Sequence, residues 1–316
     1  MHELASYQLI VLSIGAISFG VYLLVKGGDW TIDNAVLVAD RSGLSKLFIA
    51  ATIVAFGTSA PELFTSINAN LSNYPGISVG NVIGSNIANV LMVIAISAMI
   101  APVIFDRAAV RVDTLVMIGA TVAMVAAILH GSLPRWGGFG MVAAIALYIF
   151  YQFKASKLDV NELDTDDTEG SSPVFMLVLG IITLLVGSEI LVQGAVAGGL
   201  ALGVPEAVIG MTMIAFGTSL PELTACVAAT RRNQSDMIVG GIIGSNIFNI
   251  LSVMAFSAIA KPLIIDNRFV DFDMPVVIAV TLLFSLFLLF TGKIGRLTGA
   301  LMAVGYLAFI FSQYLY

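Results

Sequence analysis

Glu62 and Glu222 each lie deep within a long apolar stretch of this 316-residue chain. A charged side chain at the centre of a bilayer costs about 2.5–3.5 kcal/mol on insertion scales unless it faces a polar cavity or binds a cation. Thr58 and Ser59 precede Glu62 by four and three residues, and Thr218 and Ser219 precede Glu222 in the same way. In a continuous helix that spacing puts each trio on one face. Pro61 and Pro221 cannot donate a backbone hydrogen bond, which frees the carbonyls of Gly57 and Gly217 one turn earlier. Further oxygens come from Ser85 with Asn89 and from Ser245 with Asn249, each pair four residues apart, amid Gly80, Gly84, Gly240 and Gly244, which permit close helix approach. Oxygen ligands without Cys or His select Na⁺, Ca²⁺ or Mg²⁺ over zinc or copper. Calcium is favoured over magnesium because it accepts six to eight oxygens in loose geometry.

These residues recur because the chain is duplicated. AFGTSAPEL at 55–63 returns as AFGTSLPEL at 215–223, and GNVIGSNIAN at 80–89 as GGIIGSNIFN at 240–249. One displacement also relates Asp29 to Glu189, Pro102 to Pro262, Asp106 to Asp266 and Asp113 to Asp273. Near the ends, GSLPRWGG at 131–138 matches GKIGRLTG at 292–299, one residue further on.

The solvent that must carry these repeats is lipid. Hydrophobic residues make up 59% of the chain and charged ones 11%, with a mean hydropathy of +1.00, against about 25% charged in globular domains. A span needs about 20 apolar residues, and ten stretches qualify: near 7–38, 46–70, 77–100, 109–130, 136–154, 173–198, 205–230, 236–259, 270–291 and 295–314. The first and sixth exceed one span and are expected to be tilted or broken. The expected fold class is an all-α integral membrane protein of ten transmembrane helices. Residues 1–153 form one five-helix repeat and 173–316 the other, joined by an acidic linker at 154–172. Five spans per half make the second repeat enter from the opposite side, so the repeats are inverted.

Loop charge sets the orientation. With the N-terminus outside, eleven of the fourteen Lys and Arg face the cytoplasm and only Arg135, Lys261 and Arg268 face out. The linker is then cytoplasmic, and the expected location is the plasma or inner membrane. The first residues lack a basic n-region and cleavage site, so the first apolar stretch is expected to stay. A net charge of −6 without a basic patch argues against nucleic acid. The single Cys226 excludes an internal disulfide. The linker's six acids do not fit an EF-hand, which needs Gly at position six and Glu at twelve.

Other polar residues carry weaker expectations. Asp29 and Glu189 have a structural or cation-access role, Asp29 being within reach of Lys26. Asp106, Asp113, Asp266 and Asp273 are expected to be solvated near loops, and His130 to be interfacial. Asn81, whose repeat mate is Gly241, is a poor ligand candidate.

The two motif pairs resemble the alpha repeats of the calcium/cation antiporter superfamily, especially the prokaryotic sodium/calcium exchangers. The resemblance implies a ten-helix antiporter in which Glu62 and Glu222 are shared calcium and sodium ligands. By motif position Thr58, Ser59, Ser85, Thr218, Ser219 and Ser245 bind ions through hydroxyls and carbonyls, Ala55 and Ala215 contribute backbone oxygens, and Asn89 and Asn249 complete the cluster. Some relatives, potassium-dependent ones included, have Asp at the position of Asn249, so the resemblance implies no potassium requirement. It also implies Na⁺ and Ca²⁺ as substrates, no cofactor and no obligate protein partner.

One Ca²⁺ would neutralise the glutamate pair, and two or three Na⁺ could replace it by competition for shared ligands. The leading expectation is electrogenic Na⁺/Ca²⁺ antiport, with Ca²⁺/H⁺ exchange on the same fold as the alternative. An intramembrane enzyme is disfavoured, because neither HExxH nor a Ser/His pair occurs. A passive channel would not explain the inverted duplication.

Overall fold

The computed structural model describes residues 6–156, 172–202 and 215–313. Residues 157–171, most of the expected linker, and 203–214, the start of the expected seventh span, lie outside the described residues. In chain order the helices are α1 (Ser6–Ser42), α2 (Lys46–Thr58), α3 (Ala60–Leu71), α4 (Pro75–Ile100), α5 (Arg111–His130), α6 (Arg135–Ala155), α7 (Pro173–Ala201), α8 (Ala215–Thr218), α9 (Leu220–Arg231), α10 (Ser235–Ala260), α11 (Phe269–Thr291) and α12 (Arg296–Ser312). Among the described residues seven helices are long and apolar enough to cross a membrane, eight if the bent pair α2–α3 is one span. The chain is therefore a membrane protein. α1 and α7 are unbroken over 37 and 29 residues, about 55 and 44 Å at 1.5 Å per residue. Of the two expected alternatives for these long segments, a break is excluded.

α1 and α7 pack along one another more extensively than any other pair of helices, through small residues. A Cβ on Gly20, Gly27, Gly180, Gly187 or Gly194 would come within 2.9 Å of an atom across the seam. With no hydrophobic drive between helices in lipid, this close approach provides the dispersion contact. α4 and α10 are the enclosed helices, with 72% and 89% of their most apolar windows buried against 17% for α1. They run through the interior of the bundle, and the two GSN motifs lie on them.

Short strands tie the halves together. β1 (Val103–Ile104) pairs antiparallel with β4 (Lys293–Ile294), and β2 (Ser132–Leu133) with β3 (Leu263–Ile264). Gly131 and Gly292 end α5 and α11 at φ of 74° and 66°, the left-handed conformation that glycine tolerates. Each leads straight into its strand, which accounts for the glycine heading both copies of the 131–138 and 292–299 match.

Several expectations about acidic residues are corrected. Asp113 and Asp273 are buried rather than solvated, at 0% and 8% exposure. Asp113 accepts hydrogen bonds from the Tyr148 hydroxyl at 3.0 Å and from the Gln152 amide, joining α5 to α6. Asp273 accepts from Gln313 at 2.8 Å, joining α11 to the end of α12. Asp113 sits in the first turn of α5, and Asp273 opens the helical run that restarts after the irregular Phe272 within α11, positions where the backbone dipole favours negative charge. Asp106 and Asp266 are exposed as expected, as is His130 at the end of α5. Replacing Asp113 by alanine leaves the Tyr148 hydroxyl and Gln152 amide without their acceptor. The expected cost is about 1–3 kcal/mol per stranded group, read as a lower melting temperature in detergent; an unchanged melting temperature would dismiss the clamp.

Asp29 does not pair with Lys26. It binds Arg232, at the end of α9, at 2.8 Å, and Arg232 also holds Asp33 through two guanidinium nitrogens. Hydrogen bonding to Asp33 raises the guanidinium further above its ordinary value, so its charge is permanent. Glu189, the repeat mate of Asp29, has Ser72 in the place of Arg232 and accepts instead from Gln193 on its own helix at 2.9 Å.

Candidate ion-binding site

The site begins with two broken helices. Pro61 and Pro221 stand at the second position of α3 and α9, where a missing N–H costs nothing. The residue two before each proline, Ser59 or Ser219, leaves helical geometry at φ near −85° and ψ near 5°. α2 and α3 consequently meet at 43°. The break puts Glu62 and Glu222 in the first turn of α3 and α9, at the positive end of a half-helix dipole. It also changes the partnership expected from spacing. Ser59 donates to Oε1 of Glu222 at 3.0 Å, across 163 residues of chain. Thr58 faces Glu222 as well, and Thr218 faces Glu62. The threonine of each half thus faces the other half's carboxylate, and Ser59 bonds to Glu222.

The surroundings of the pair are dry and lack positive charge. Glu62 is 1% exposed and Glu222 4%, the two are close enough to repel one another, and among the described residues neither has an ion-pair partner. Both oxygens of Glu62, Oε2 of Glu222, the hydroxyls of Ser219 and Ser245, Oδ1 of Asn89 and both polar atoms of Asn249 are buried without a hydrogen-bond partner. The great majority of buried polar atoms in proteins are paired. So many orphans in one motif set, nearly all oxygens, are what a dehydrated cation would satisfy.

α4 and α10 present the remaining groups. Asn89 and Asn249 each open a π-helical turn, Asn89–Val93 and Asn249–Met254, a wide turn that recurs at functional sites. Asn89 donates to Oδ1 of Asn246 at 3.1 Å, and Asn246 donates to the sulfur of Met117 on α5 at 3.7 Å. Ser85 is buried one turn before Asn89. Asn81 donates to the backbone oxygen of Glu62 at 3.1 Å and to Ser66 at 2.9 Å, so it buttresses the break, in keeping with its weak ligand claim.

One expected backbone ligand, the Ala55 carbonyl, is otherwise engaged, as is the Gly217 carbonyl that Pro221 frees. The Ala55 carbonyl accepts from the Ser59 amide at 3.0 Å and the Thr58 hydroxyl at 3.3 Å, and the Gly217 carbonyl accepts from Ser188 at 2.7 Å. Ala215 opens α8, adjoining the undescribed residues. The close approach expected of four glycines holds for two. A Cβ on Gly240 would lie 2.7 Å from the Leu47 carbonyl and one on Gly244 2.4 Å from that of Ala51, whereas Gly80 meets only Phe269 at 3.8 Å and Gly84 has nothing within 4 Å. Sequence reasoning passed over Asn246, although its mate Asn86 made the pair visible, and Ser188, whose mate Gly28 gives no signal.

A family profile described as sodium/calcium exchanger protein matches residues 12–154 and 172–315, both site segments included. The chain belongs to the sodium/calcium exchanger family. An uncharacterized membrane protein of Methanocaldococcus jannaschii is 35% identical over 96% of this chain and 99% of its own length. The sodium/calcium exchanger MaX1 of Methanosarcina acetivorans is 29% identical over 96% of this chain and 98% of its own. Among solved structures, the sodium-calcium exchanger NCX_Mj superimposes with a TM-score of 0.84 at 36% identity, covering 96% of this chain and 99% of that one. At that coverage, this family member shares its overall fold with that solved exchanger.

Proposed function

We propose that the chain exchanges Na⁺ for Ca²⁺ by alternating access, electrogenically and without potassium. The ions compete for one cluster built on Glu62 and Glu222, with Thr58, Ser59, Ser85, Asn89, Thr218, Ser219, Ser245 and Asn249 around them, and with Ala55 and Ala215 offering backbone oxygens in states that release them. The observation that carries this reading is the dry pair of carboxylates with, among the described residues, no countercharge and three of four oxygens unpartnered. Each carboxylate taken from water costs several kcal/mol, so the ion-free site is unfavourable and a bound cation restores neutrality. Names borne by relatives, sodium/calcium exchanger among them, support the choice of ions.

The architecture proposed with it is ten spans in two inverted repeats, 1–153 and 173–316, in the cell membrane, with the N-terminus outside and the 154–172 linker cytoplasmic. Strand pairing supports it. That topology puts the loops holding β1 and β4 on the cytoplasmic side and those holding β2 and β3 outside, so each observed pair joins loops on the same face. Inverted repeats around a central site are the usual frame for alternating access.

The test is calcium uptake into sodium-loaded proteoliposomes diluted into sodium-free buffer, with potassium omitted and pH clamped. Uptake should follow the sodium gradient, respond to an imposed membrane potential, and lose its sodium dependence in Ser85→Ala or Ser245→Ala. Uptake that ignored sodium and followed a pH gradient would make the proton the coupling ion and overturn the reading.

A further inference from the structure

We infer that Ser188 is a positioning residue for the second half's ion ligands; the inference rests on the ion cluster proposed above. Pro221 removes the N–H that the Gly217 carbonyl would meet in a continuous helix. In a dry interior that oxygen needs another donor. The Ser188 hydroxyl, itself 4% exposed on α7, supplies it at 2.7 Å. Val192, one turn further along α7, blocks the same residue from the side, since a Cβ on Gly217 would lie 2.2 Å from its Cγ2. Gly217 is thus held at both its carbonyl and its α-carbon. The next two residues are Thr218, which faces Glu62, and Ser219, whose buried hydroxyl is unpartnered.

Among the described residues no side chain of α1 or α7 is seen donating to the Gly57 carbonyl in the same way. The repeat mate of Ser188 is Gly28, which has no hydroxyl and packs against Thr224 of α9. Gly57, the mate of Gly217, is backed by Ile181, so α7 touches both breaks but hydrogen-bonds to one of them through this serine. The two breaks therefore differ in what orients them. The second is held ready to bind, and the first depends on its own helix and on the hydroxyl contact to Glu222. Where the competent orientation is only partly populated, the apparent dissociation constant is the intrinsic one divided by that fraction, and so rises. Without the pin, Thr218 aims at Glu62 only part of the time, and the Ser219 hydroxyl is no longer held in place.

The experiment compares the native chain with Ser188→Ala and Ser188→Thr. Melting temperature in detergent is titrated separately with CaCl₂ and with NaCl, and exchange kinetics are measured in proteoliposomes. Ser188→Ala should raise the Ca²⁺ and Na⁺ concentrations for half-maximal stabilisation three- to tenfold and raise KM to match, with kcat changed less than twofold. Ser188→Thr, which keeps the hydroxyl, should stay within twofold of the native protein. Should the alanine variant not be recovered, Ser188→Cys keeps the size with a weak donor and should shift the midpoints in the same direction. A lower melting temperature with unshifted ion midpoints would reduce Ser188 to a packing contact and overturn the inference. A native chain that binds Ca²⁺ but does not exchange it for Na⁺ would overturn the functional reading, and the ion midpoints would still decide the role of Ser188. A native chain that binds neither ion would overturn both.

Discussion

Replacing either Glu62 or Glu222 by glutamine abolishes exchange and leaves the fold standing. The two carboxylates are the only ionisable groups among the proposed ligands. Glutamine keeps the volume and one oxygen but removes a full charge from a site in which Glu62 is 1% and Glu222 4% exposed. Breaking a buried charge pairing costs about 3–5 kcal/mol, and tenfold in affinity is about 1.4 kcal/mol, so calcium binding should weaken at least about a hundredfold. Stability should move the other way in the absence of ions, because the mutual repulsion of the glutamates is lost with the charge. The native protein at a hundred times Kd gains about 2.7 kcal/mol from its ligand, and the glutamine variants should gain almost none. Calcium uptake and calcium-induced melting shifts read the two effects separately. Exchange within a few-fold of native in both variants would remove these residues from the site.

Gly244→Ala is the second large effect, and Gly84→Ala is its control from the same motif. A Cβ on Gly244 would sit 2.4 Å from the Ala51 carbonyl oxygen and 2.6 Å from the Ala51 α-carbon. These are backbone atoms of the π-helical stretch Ala50–Val54 in α2, and they cannot move without moving the helix that leads into the Ser59 break. Overpacking of this kind costs about 1–3 kcal/mol, occasionally more, and here it falls between α10 and α2. Alanine at Gly84 meets nothing within 4 Å and should gain up to about 1 kcal/mol of helix propensity. Thermal unfolding of the two purified variants decides the matter, and equal effects would contradict the packing described.

The motifs showed which residues gather but not which carboxylate each hydroxyl meets. Thr58, Ser59 and Glu62 fit one helical face by spacing alone. Pro61 breaks that face, and the cost of continuing a helix through proline outweighs its periodicity, so Ser59 reaches Glu222 instead. Sequence position alone predicts a solvated Asp113, because it stands near the start of the 109–130 stretch, close to a loop. Its burial depends on Gln152 and Tyr148, residues of a different helix that no local pattern connects to it. The duplication was legible residue by residue, yet it concealed asymmetry. Gly84 and Gly244 are identical in type and motif, and only the packing of α2 against α10 makes one of them indispensable.

The strand pairs bear on how the chain is made. Residues 103 and 104 find their partners about 190 residues later, in the last loop before α12. At a synthesis rate of about 5–20 residues per second, the first half waits on the order of 10–40 s in the membrane with that edge unpaired. The β2–β3 pair, joined across a shorter stretch, forms earlier. Biogenesis thus passes through an intermediate in which β2 and β3 are already paired while β1 still waits, and it finishes only when the segment carrying β4 leaves the ribosome.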